Sequence, residues 1–132
     1  CSPQHTASGV LLRAGDIIDG HDIARARRVA ARTDRDLARG PGRLAQALGI
    51  THPHHDGTDV LAGQVARIAV AVPGGPHAVP SGRIGRSPRT GVSGVAGTHM
   101  FPWRFYLLGT EVCHRTGLGG TYAMMRADAP LT

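Results

Sequence analysis

The tightest constraint on this chain is its punctuation. Nineteen glycines and nine prolines interrupt 132 residues, so uninterrupted stretches are short and the elements they form must be short too. Aromatic residues are only 4% of the chain, which leaves a core to be built from Val, Ile, Leu and Ala. Apolar residues nevertheless reach 41%, enough for one thin-cored domain rather than a disordered chain.

The longer periodic stretches locate the expected elements. Residues 9–14, which include Val10, Leu11 and Leu12, read as a short buried strand that ends on Arg13. A buried guanidinium is costly unless it is paired, so Arg13 must reach solvent or a partner. Residues 22–33 read as a helix capped by Asp22, with Ile23, Ala26 and Ala30 as its apolar stripe. Arg25, Arg27, Arg28 and Arg32 around it read as a solvated basic face. In residues 37–50, "LARGPGRLAQALGI", Gly40-Pro41 opens a helix, Leu44, Ala47 and Leu48 repeat at helical spacing, and Gly49 fits the carboxyl-terminal cap. The amino end of that helix, with Arg43 in its first turn, suits phosphate. Residues 51–59 read as a loop, 65–72 as a strand, 73–82 as a Pro/Gly-rich connector, 83–94 as three arginines among glycines and small residues where backbone can approach a ligand closely, and 102–109 as the last strand; the end of the chain shows no clear period. The expected fold class is α+β: a single mixed domain with a curved, mostly antiparallel sheet and a few short helices.

Charge narrows the function. All fifteen basic residues are arginine, only Glu111 among nine acids is glutamate, and the net charge is +6. Such a balance points to a polyanion, with nucleic acid ahead of an anionic membrane. No apolar run approaches the ~20 residues of a membrane span, and no signal peptide is visible. Cys1 and Cys113 form no disulfide framework and fit a reducing cytoplasm, which is the expected location, with nucleoid association in a bacterium. A GxSxG elbow, a CxxC pair and a GxxxxGK(S/T) loop are all absent. His52, His54, His55 and Asp56 could suggest a metal-binding module, but HPHH is too tight for helical ligands and a polar loop is the better reading.

In order, the chain carries "TASGVLLRAG", "LARGPGRLAQALGI", "SPRTGVSG" and "PWRFYLLGTEV". This series resembles the C-terminal half of the 3-methyladenine (alkyladenine) DNA glycosylase family over residues 1–115, and leaves residues 116–132 as an unassigned tail. The resemblance implies an enzyme of base-excision repair. Such an enzyme binds double-stranded DNA through the minor groove, flips an alkylated purine and hydrolyses its N-glycosidic bond without a metal or organic cofactor. It implies that Arg13 helps hold the attacking water, together with a main-chain carbonyl that falls on Thr90, where the family's "RVGV" reads "RTGV". It implies phosphate contacts at Arg43 and at His52, the latter weaker because histidine is mostly neutral at pH 7. The family's catalytic glutamate, intercalating tyrosine and base-discriminating residues have no counterpart here and are expected upstream. Arg13, a cation, cannot replace a carboxylate. The chain by itself is therefore expected to be inactive, incomplete as a fold, marginally stable and monomeric. The alternative is a basic remnant that binds nucleic acid without chemistry.

Overall fold

The computed structural model describes residue 5, residues 9–63, 66–69, 74–75 and 78–109, and the backbone of 124–126. It is an α+β structure whose strands form two separate pairs rather than one curved sheet. Strand β1, Asp16–Asp19, pairs in parallel with β4, Met124–Arg126, with an irregularity between Ile17 and Asp19. Strands β2, Ile84–Ser87, and β3, Arg104–Leu107, pair antiparallel, Ile84 opposite Leu107 and Ser87 opposite Arg104. Antiparallel pairing thus holds for one pair of the two, and the unassigned tail supplies a strand.

The strand expected at 9–14 begins later. Val10 is 81% exposed and Leu11 61%, and residues 9–15 are irregular before β1 starts at Asp16. Three consecutive apolar residues do not make a strand when no partner backbone accepts them; the Gly15 N–H goes instead to the Ala38 carbonyl at 3.3 Å. Helix α1, His21–Arg27, starts from Gly20 in a left-handed conformation, and Asp19 rather than Asp22 holds the Gly20 N–H, at 2.9 Å. The helix stops six residues short of expectation. The Arg28 N–H closes the last turn on Ala24 and Arg25, and its ψ of 56° turns the chain away. The buried position is Ala24, with Ile23 packed beside it, whereas Ala26 and Ala30 face solvent.

The punctuated stretch 37–50 behaves as its residues dictate, with one division. Thr33 precedes the short α2, Asp34–Leu37, and its hydroxyl donates to Asp36 at 3.0 Å. Helix α3, Pro41–Leu48, begins with the expected proline and ends at Gly49, whose φ of 72° suits glycine. The Ile50 N–H reaches the Ala45 carbonyl at 2.8 Å and the Gly49 N–H reaches Gln46 at 3.1 Å, the two bonds of a Schellman cap. Residues 52–55 form a single helical turn, α4, where a loop was expected. Residues 66–69 are not a strand, and the rest of 65–72 lies outside the described residues.

Ile17, Ala24, Leu37, Ala38, Leu44 and Ala47 form the core, with Leu12, Ile23, Ala31 and Leu48 against it. Leu37 is its largest fully buried side chain. So small a core is supplemented by arginine. Arg28 donates to the Leu37 carbonyl at 3.2 Å, the Asp36 carbonyl at 3.5 Å and Gln46 Oε1 at 2.9 Å. Gln46 Nε2 donates back to the Arg27 carbonyl at 2.8 Å, and Arg27 donates to the Ala47 carbonyl at 3.2 Å. One guanidinium thus satisfies carbonyls that α2 leaves open and ties α1 to α3.

Truncating Leu37 to Ala should cost about 2–5 kcal/mol, read from chemical denaturation, because Leu37 is fully buried and its loss leaves a cavity in a small core. Burial raises the carboxyl pKa of the half-buried Asp16. A raised carboxyl binds its proton more tightly in the folded state, so ionised Asp16 opposes folding at neutral pH and the penalty fades on acidification through the carboxylate range. Asp16→Asn should therefore raise the melting temperature at pH 7, with the gain shrinking towards pH 3.

Candidate nucleic-acid interface

Arginines from the connection between α1 and α2 and from α3 converge at the amino end of α3. Arg28, Ala30, Arg32, Asp36 and Arg43 line an open cavity of about 300 Å3. Arg43 is the third residue of α3, placed there by Pro41 and Gly42 before it, and its side chain is half exposed. Asp36 is the acidic counterweight: its Oδ1 lies 3.9 Å from Arg43 and 3.8 Å from Arg39, beyond hydrogen-bonding range. Such pairs hold loosely and leave Arg43 able to turn to an anion from solvent.

The other arginines of the supposed basic face differ. Arg27 and Arg28 point inward to the carbonyls described above, and Arg25 pairs with Asp34 at 2.6 Å. Only part of that face is therefore a solvated charge array. Arg28 was not legible as a clamp, since nothing in "ARARRVAA" separates it from its neighbours.

Arg13 lies half-buried just before β1. Among the described residues it has no hydrogen bond or ion pair. Thr90 lies in the turn after β2, just before Gly91, which has a φ of 77°. No described hydrogen bond joins Arg13 to Thr90. Thr90 is instead held from β3: Arg104 NH1 donates to its hydroxyl, and Arg104 Nε donates to Ser87 Oγ at 2.6 Å. Neither Arg104 nor Ser87 was singled out from sequence. No local sequence signal marks them: Gly85 lies opposite Tyr106 only once the strands pair, where a Cβ on Gly85 would sit 2.5 Å from the Tyr106 ring, over which Arg104 lies.

The histidine turn does not gather ligands. His52 lies exposed at the start of α4, 3.8 Å from Asp56, and the His55 ring shares a hydrogen bond with the Thr51 backbone. Asp59 accepts from the Leu61 and Ala62 N–H groups at 2.9 and 3.1 Å, bonds that hold its carboxyl below the usual range. Among the described residues no group of three or more His, Cys, Asp or Glu is placed to hold a metal ion. No helix among them is long and apolar enough to cross a membrane.

The family profile for Methylpurine-DNA glycosylase matches residues 1–111. A protein of Streptomyces avermitilis named "Putative 3-methyladenine DNA glycosylase" is 48% identical over 107 residues, which is 81% of this chain and 47% of the relative. A protein of the same name from Nocardia farcinica is 44% identical over 105 residues, 80% of this chain and 46% of the relative. One from Corynebacterium jeikeium reaches 64% over 50 residues, 38% of this chain and 24% of that relative. The chain thus spans about half the length of the first two of these curated relatives. With the profile covering residues 1–111, the chain belongs to the methylpurine-DNA glycosylase family.

Proposed function

We propose that this chain supplies part of the machinery of a DNA glycosylase that removes alkylated purines from duplex DNA in base-excision repair. The observation that carries this reading is family membership across residues 1–111. In the proposed reaction a water oxygen attacks C1′ of the flipped nucleotide. The C1′–O bond forms, the C1′–N bond breaks, and its electron pair leaves with the purine. Arg13, half-buried and without a hydrogen bond or ion pair among the described residues, would orient the water by hydrogen bonding to its oxygen. The Thr90 main-chain carbonyl would accept one of the water's hydrogens. The water's other proton needs a carboxylate, which we assign to the part of the relatives' length that this chain does not span.

Arg43 and His52 would contact the DNA backbone. Arg43 is the better placed, exposed beside a cavity where three arginines meet one aspartate. His52, also exposed, is the lesser contact. The reading involves no metal or organic cofactor, since the chemistry it describes needs only an oriented water and a general base. We further propose that the protein acts as a monomer in the cytoplasm, on the nucleoid if the source is bacterial.

The deciding experiment compares base release from alkylated duplex DNA by the full-length gene product and by this chain alone. Release by the former and none by the latter is the expected result. Binding without release by both would favour the reading of a non-catalytic DNA-binding protein. In the full-length product, Arg43→Ala should weaken duplex binding irrespective of sequence. It should also flatten the plot of log affinity against log salt by about one unit of slope, as expected for one lost phosphate contact.

A further inference from the structure

One guanidinium closes the open end of the β2–β3 pair. Ser87 and Arg104 are opposite each other at the last register position, beyond which the two strands separate. At the other end of the pair, Arg83 and Leu108 bond through the Leu108 N–H at 2.7 Å and Arg83 NH2 at 3.0 Å. At the open end the work falls to side chains. Arg104 Nε donates to Ser87 Oγ at 2.6 Å, and that hydroxyl donates onward to the Pro88 carbonyl at 3.3 Å. Arg104 NH1 donates to the Thr90 hydroxyl. The turn between Ser87 and Gly91 is therefore gripped at both ends by a single planar group. That group is itself steadied, because its Cζ lies 5.5 Å from the centre of the Tyr106 ring.

We propose that Arg104 is a positioning residue for the Thr90 main-chain carbonyl: by gripping the Ser87 and Thr90 hydroxyls it sets where that carbonyl points. The inference rests on the reading of Thr90 as a water-holding residue. The Thr90 hydroxyl matters here because a valine at this position would offer Arg104 nothing to hold. The rigid fork of an arginine can serve two hydroxyls at once, whereas a lysine ammonium is a point donor on a flexible stem. A misplacement of about 1 Å at a reacting atom can cost about a hundredfold in rate, so a turn freed at one end should be felt in chemistry more than in binding.

The test uses the full-length gene product with alkylated duplex DNA as substrate, and the variants Arg104→Ala, Arg104→Lys, Thr90→Val and the Arg104→Ala/Thr90→Val double. Single-turnover base release should fall by about ten- to a hundredfold in Arg104→Ala, while duplex affinity changes by less than about twofold. Arg104→Lys should recover little of the rate. The double variant should be no slower than Arg104→Ala, because the contact that Thr90→Val removes is already lost in Arg104→Ala. Amide hydrogen exchange at residues 89–91 should quicken in Arg104→Ala with the rest of the protein unchanged, which separates a loosened turn from a misfolded protein. Unchanged exchange, an unchanged release rate, additive losses in the double variant, or a loss confined to affinity would each overturn the proposal. If the unsubstituted product releases no base, the reading of Thr90 falls and the positioning role with it. The exchange measurement then still reports whether Arg104 holds the turn.

Discussion

The fold depends on Arg28. Its side chain satisfies carbonyls at the end of α2 and the amide of Gln46 on α3, while its own backbone ends α1. Without it three short helices would meet around a core whose largest fully buried side chain is one leucine. Helices of four to eight residues have little stability of their own, and their unpaired end carbonyls are a large fraction of their backbone. A charged donor aimed at those carbonyls makes stronger bonds than a neutral one. The clasp therefore does in polar contacts what a larger chain would do with apolar area.

The same logic recurs in the β2–β3 pair. Two four-residue strands have few ladder bonds between them, and arginine side chains extend the pairing at both ends. Across the pair Arg86 lies over Phe105, along β3 Arg104 lies over Tyr106, and beyond the strands Arg89 lies over Trp103. Gly85 leaves room for the Tyr106 ring, and that ring supports the guanidinium that grips the Thr90 turn. A residue with no side chain thus acts at a distance of several residues, through shape alone.

Legibility in the sequence followed from where the decisive interaction lay. Helix α3 was readable because proline and glycine set its ends locally, and both took their expected places. The 9–14 stretch was misread because apolar character without a partner backbone does not make a strand. Helix α1 was overextended since its end is fixed by contacts between Arg28 and residues up to eighteen positions away. Among the candidate residues, Arg13, Arg43 and His52 were identified from their motifs, and the structure describes a setting for each. The partners that define those settings, Asp36 beside Arg43 and Arg104 beside Thr90, are contacts across elements and leave no local trace.

Arg28 also changes what the chain's charge means. It keeps its positive charge, and a distant anion feels that charge through solvent. At contact its donors already face inward, and Arg27, Arg83 and Arg104 likewise donate to groups of the protein itself. Attraction over a Debye length and grip at the surface are thus divided between different arginines. An approaching polyanion would be steered by nearly all of them and held by few, so its speed of arrival and its length of stay can be altered independently.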